Sequence, residues 1–110
     1  MGKPLKGQVV VVPFPFSDLS LTKRRPALVV ANVPGDDLVL CQITSQDRGD
    51  PDALSVHDLD FAQGGLNRAS FVRPARLFTA DQSIVVRVAG TLRPETMRRV
   101  TACLVSLLER

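Results

Sequence analysis

Lys23-Arg24-Arg25-Pro26-Ala27-Leu28-Val29-Val30 sets three consecutive cations directly against a short apolar stretch. A run that short suits a buried strand, which leaves the cations at the strand's mouth. Proline fixes its own φ, carries no N–H and pushes the preceding residue towards an extended conformation. Pro26 therefore fits where a strand begins, and Arg25 becomes a guanidinium on a stiff platform. The competing reading is a solvated charge cluster that protects a sheet edge from aggregation.

On the N-terminal side, a short polar lead runs into Gly7-Gln8-Val9-Val10-Val11-Val12, a first strand stopped by Pro13-Phe14-Pro15-Phe16. Residues 16–22 read as a polar loop that delivers the chain to the basic cluster. On the C-terminal side, residues 27–31 form the second strand and Asn32-Val33-Pro34-Gly35-Asp36-Asp37 supplies a turn. Leu38-Val39-Leu40-Cys41-Gln42-Ile43-Thr44-Ser45 is the third strand. Antiparallel pairing across that turn returns the end of strand three to the level where strand two began, which brings Thr44 and Ser45 near Arg25.

After the polar loop of residues 46–52, weakly alternating residues 53–57 suggest an edge strand. Gly64-Gly65 predicts a bend, and strand-like segments follow at residues 67–74, 76–80 and 84–90. The period then changes. Met97, Val100, Leu104, Leu107 and Leu108 share one helical face, with Pro94 and Glu95 in the first turn and Arg98 and Arg99 on the solvent side. The expectation is a mainly β fold: a small barrel or sandwich of about six short strands, with one C-terminal helix packed on it.

At 110 residues the chain reads as a single domain spanning 1–110, of ordinary globular composition. Its net charge of +3 hides an asymmetry: residues 1–60 hold six Lys/Arg against eight Asp/Glu (−2), and residues 61–110 hold eight Arg against three Asp/Glu (+5). A basic half built only from arginine suits phosphate, because the guanidinium fork matches phosphate oxygens bidentately. Cys41 and Cys103 have no CxxC spacing and read as buried free thiols. With no apolar stretch of signal-peptide or membrane-spanning length, they point to a reducing cytoplasm and no membrane partner.

Familiar catalytic and metal-binding motifs are missing: there is no Gly-rich phosphate loop, HExxH, GxSxG or metal-ligand cluster, so no cofactor is expected. His57 is the only histidine, and a surface or structural role is the expectation for it. An arginine, a hydroxyl pair and several carboxylates remain as chemistry.

Taken in order, Gly7-Gln8-Val9-Val10, Pro13-Phe14-Pro15-Phe16-Ser17-Asp18, the basic stretch through Val30, Ile43-Thr44-Ser45, Gly65-Leu66, Ser70-Phe71-Val72-Arg73 and Leu77-Phe78-Thr79-Ala80-Asp81 resemble the MazF/PemK/Kid toxins of bacterial type II toxin–antitoxin systems, closest to the PemK-like branch. The resemblance covers nearly the whole chain. It implies an SH3-like barrel that forms a homodimer and cuts single-stranded RNA at short sequences without metal, until a cognate antitoxin covers the site. It assigns cleavage to Arg25 and Thr44, with Ser17 or Asp18 as the polar residue of the first loop. Asp81 matches a further family aspartate, whereas Phe78 occupies the place of the family arginine, with Arg76 close by in the chain. Lys23, Arg24, Ser45, Arg73 and Arg76, together with Ser17, are the candidate RNA contacts.

The implied chemistry is physically coherent. In metal-free RNA cleavage the 2′-OH attacks its own phosphate, so the protein must position the nucleotide and stabilise a five-coordinate phosphorane. Arg25 suits the charge and Thr44 a further hydrogen bond. The general base stays open between Asp18, Asp81 and an unusually deprotonated Arg25. Alternatives of other classes are a CcdB-like toxin that binds DNA gyrase and cuts nothing, and a plain RNA-binding barrel. The latter is weakened by five Phe with no Trp or Tyr for stacking. The unexceptional alternatives at single positions are a β-branched strand residue at Thr44, a turn former at Asp81 and ordinary loop residues at Ser17 and Asp18.

Overall fold

The apolar runs do not alternate because both faces of the sheet they form are covered. In the computed structural model, which describes residues 2–15 and 22–110, seven strands make one antiparallel sheet in the order β4-β6-β3-β2-β1-β7-β5. They are β1 (Gln8–Pro15), β2 (Thr22–Ala31), β3 (Asp37–Thr44), β4 (Leu54–Val56), β5 (Phe61–Gly64), β6 (Ser70–Asp81) and β7 (Arg87–Leu92), followed by α1 (Pro94–Leu108). The sheet curls into a half-barrel around two apolar clusters. One holds Val10, Val12, Ala27, Val29, Leu38 and Leu40, with Phe14, Phe78, Ile84 and Val88 against it. The other, on the opposite face, holds Val9, Leu28, Cys41, Ile43, Val56 and Val72 with Met97 and Val100 of α1. Neighbours in sequence thus go to opposite cores, as the two-residue strand period requires.

Four expectations are corrected. Strand two begins at Thr22, not after Pro26; Pro26 lies inside it, opposite Val11. The β2–β3 ladder starts only at Ala27↔Gln42, so Pro26 stands before it and its missing N–H is tolerated. The two segments on either side of Pro74 are one strand, β6, because Pro74, Ala75 and Arg76 fall in the register shift between Gln42↔Arg73 and Cys41↔Leu77. Residues 61–64, which carry no strand signal, form β5 and run into the bend expected at Gly64-Gly65, while residues 82–84 form a 3₁₀ turn before β7. At the chain's end, Leu108 is 70% exposed, so the helix's apolar stripe outruns the core it covers.

The helix is anchored by a residue that has no sequence motif. Asp60, buried ahead of β5, accepts the backbone N–H of His57 at 3.0 Å and the Thr96 hydroxyl at 2.9 Å. Its own carbonyl accepts the Arg93 N–H at 2.8 Å. Burial pushes the Asp60 carboxyl up, but those hydrogen bonds and the nearby His57 and Arg99 outweigh it and hold it below the usual range. His57, exposed at the start of the same turn, has the structural role expected of it.

Candidate functional site

Strand alternation sorts the basic cluster onto two faces. Through the unbroken β1–β2 register, Arg24 shares a face with Pro26 and Leu28, whereas Arg25 shares one with Ala27 and Val29. Continuing the β2–β3 register from Ala27↔Gln42 sets Arg25 opposite Thr44, and both belong to the face of Val29 and Leu40. Strand counting thus puts the two residues on the same face at the same end of the sheet, beyond the last paired residues, Ala27 and Gln42. Thr44 is only 3% exposed, and its Oγ1 accepts the Gln46 N–H at 3.2 Å, which fixes the hydroxyl and leaves its proton available as a donor.

A groove of about 560 Å³ opens at this end of the sheet, with Arg25 on its border. Arg24, Arg25 and Pro26 of β2 form one wall, Ile43 and Ser45 the next, residues 65–68 and Ser70 another, and Val11, Val86 and Arg87 complete it. No carboxylate lines it among the described residues. Ser45, one residue on from Thr44, is exposed and faces this groove, whereas Thr44 is not part of its lining.

The remaining sequence-derived candidates divide. Lys23 is exposed at the end of β2, opposite Phe14. Arg76 lines a second groove with Phe14, Gln42, Leu77 and Phe78. Arg73, expected to contact RNA, is instead spent internally: its Nε donates to Asp50 Oδ2 at 3.0 Å, with the two side chains only 15% and 9% exposed. That hydrogen bond, with the Asp52 N–H, holds the Asp50 carboxyl below the usual range. Asp81 is not brought to Arg25. It pairs with Asp37 at the opposite end of β3 from Thr44, which pairs with Phe71. Seven residues of strand separate the two levels, roughly 20 Å. There Asp81 accepts the Ser83 N–H at 2.8 Å, which lowers its pKa and identifies it as a turn former. Ser17 and Asp18 lie outside the described residues.

Two residues that sequence reasoning missed, Arg68 and Arg87, reach the main groove from the β5–β6 loop and from β7. The arginine-only second half was the sole signal for them. Among the described residues there is no group of three or more His, Cys, Asp or Glu that could hold a metal ion. Burial pushes the Cys41 thiol up to about 12, so it is a core residue and not a nucleophile.

Residues 5–108 match the family described as PemK-like, MazF-like toxin of type II toxin-antitoxin system. The chain belongs to this family. Comparison with curated proteins found no match. Among solved structures, MazF from Deinococcus radiodurans superposes with a TM-score of 0.76 at 22% identity, covering 100% of both chains. An endoribonuclease in complex with its cognate antitoxin, from a mycobacterial species, gives 0.75 at 23% identity and covers 96% of this chain and 95% of that one. The MazE–MazF complex from Deinococcus radiodurans gives 0.73 at 22% identity, covering 98% of each chain. At these identities the likeness is one of fold, and it extends to the whole half-barrel with its C-terminal helix. The PemK-like toxin thus has the architecture of MazF from end to end.

Proposed function

We propose that this PemK-like toxin is a sequence-specific, metal-independent endoribonuclease that cleaves single-stranded mRNA and is neutralised by a cognate antitoxin. The observation that carries the reading is a groove whose described lining holds Arg24, Arg25, Arg68 and Arg87 with Ser45 and no carboxylate. Family membership and the structural likeness to an endoribonuclease bound to its antitoxin support it.

The 2′-OH attacks the adjacent phosphorus as its O–H bond breaks and the P–O5′ bond opens; the departing 5′ oxygen takes a proton from water, leaving a 2′,3′-cyclic phosphate and a 5′-OH. Arg25 stabilises the charge gathering on the non-bridging oxygens, and the Thr44 hydroxyl donates to the same phosphate. The guanidinium supplies the positive charge that this step needs. Asp81 being remote, Asp18 in the connection between β1 and β2 is the carboxylate assigned to take the 2′-OH proton. Lys23, Arg24 and Ser45 hold the flanking RNA, with Ser17 assigned beside them. Arg73 acts through Asp50 to fix the loop after β3.

No helix of the described chain is long and apolar enough to cross a membrane, and its two cysteines are free; we place the toxin in the cytoplasm as a homodimer. The deciding experiment incubates the protein with a mixed RNA pool in excess EDTA and sequences the new ends. Recurrent ends at one short motif, carrying 2′,3′-cyclic phosphates, are expected. Equal cutting of substrates with a 2′-deoxy sugar at the scissile position would overturn the mechanism, and intact RNA would overturn the activity.

A further inference from the structure

We propose that Arg24, Arg68 and Arg87 form a phosphate track for the nucleotides that flank the scissile bond, on the opposite face of β2 from Arg25 and Thr44. The proposal rests on the RNA-cleaving reading and extends it to residues outside the cleavage centre. The three arginines reach one groove from β2, the β5–β6 loop and β7, and all three are exposed. None of them is in an ion pair among the described residues, whereas Arg73, Arg99 and Arg110 are paired with Asp50, Asp60 and Asp52. Gathering unneutralised guanidinium groups around a concavity raises the local positive potential, and a chain of phosphates is the ligand that this arrangement attracts.

The walls are built to hold their shape. A Cβ on Gly64 would lie 2.2 Å from the Ala89 carbonyl oxygen, and one on Gly90 would lie 2.5 Å from that of Gln63, so only glycines allow β5 and β7 to approach this closely. That contact, with Gly65 N–H donating to Ala89 O at 3.2 Å, fixes the start of the loop that carries Asn67 and Arg68. The Ser70 hydroxyl donates to the Arg68 carbonyl at 3.0 Å and fixes its end. Val86 N–H donates to Val11 O at 2.8 Å, which sets the chain immediately before Arg87.

Among the described residues, the groove between the cations is aliphatic, lined by Val11, Pro26, Ile43, Leu66 and Val86, with no aromatic ring for base stacking. Recognition here is consequently by backbone charge. Since Arg25 borders the groove, RNA held in it is continuous with the phosphate at the cleavage centre.

The test titrates a labelled single-stranded oligoribonucleotide that contains the mapped cleavage sequence with a 2′-deoxy sugar at the scissile position, so that binding is read without turnover. Arg68→Ala and Arg87→Ala are each expected to weaken binding severalfold. Each should also reduce the slope of log affinity against log salt by about 0.7, the value for one phosphate contact on a single strand. Arg98→Ala, on the exposed side of α1, sets the background. An affinity and salt slope in the Arg68 and Arg87 variants no different from Arg98→Ala would overturn the track while leaving RNA cleavage standing. If the wild-type protein cuts no RNA, the same titration is run with the uncut RNA pool, and variants that lose affinity and slope there would overturn the cleavage reading while leaving the three arginines as a phosphate track.

Discussion

Strand counting set Arg25 and Thr44 on one face at the same end of the sheet, and the register as far as Ala27↔Gln42 agrees with that placement. Burial of Thr44 was not legible, and it changes what substitution there tests. Arg25→Ala is expected to lower kcat/KM by more than about a hundredfold, on the order of 3 kcal/mol, for a charge-assisted contact made chiefly in the transition state. Thr44→Ala would remove a buried methyl group and the acceptor of the Gln46 N–H, which confuses folding with catalysis. Thr44→Ser keeps the hydroxyl and should retain most activity, whereas Thr44→Val keeps the shape and should lose it, at about 1 kcal/mol in stability for the unpaired N–H. Turnover and thermal midpoint measured together separate these effects, and equal activity in the Ser and Val variants would remove Thr44 from the mechanism. The ion pair of Arg73 was not legible, because its partner, Asp50, belongs to a polar loop whose path no local pattern reveals.

At the scale of elements, the first three strands were legible as short apolar runs bounded by turn residues, and the helix by its clear period. β5 was not, since Phe61-Ala62-Gln63-Gly64 has neither alternation nor β-branched residues. Nor was the continuity of β6, because a proline that usually ends a strand is absorbed here by a bulge. The docking of α1 depends on Asp60, which has a testable pH dependence. Its folded pKa lies below its unfolded one, so the ionised carboxylate stabilises the fold above the unfolded value near ~3.9 and loses that contribution as pH falls through the lower folded value. Asp60→Asn should therefore cost about 2 kcal/mol at neutral pH, the charge-assisted part of its hydrogen bonds. The deficit should narrow below about pH 4. A midpoint difference between wild type and Asp60→Asn that stays constant from pH 7 to pH 3 would show that the charge of Asp60 contributes nothing to helix docking.

For the whole molecule, the sequence revealed a basic second half but not how its arginines are used. The fold neutralises Arg73, Arg99 and Arg110 internally and leaves Arg68 and Arg87 to meet Arg24 around one groove. A surface that attracts phosphates by charge also attracts carboxylates, and this governs how a type II antitoxin acts on the toxin. An acidic, partly disordered antitoxin segment is expected to lie in the groove meant for RNA, ordering as it binds. Inhibition should then be competitive: rising antitoxin peptide raises the apparent KM for RNA and leaves kcat alone. Its strength should fall with added salt, because exposed charges are screened within about 8 Å at physiological ionic strength. Arg68→Ala and Arg87→Ala should weaken the peptide and the RNA together, since both draw on the same cations. The homodimer, expected from sedimentation equilibrium at micromolar protein, would place two such grooves in one particle. Steady-state cleavage over a matrix of RNA and peptide concentrations is the measurement that decides: a peptide that lowers kcat without changing KM would have to bind the enzyme–RNA complex, and shared occupancy of the arginine groove would then be excluded.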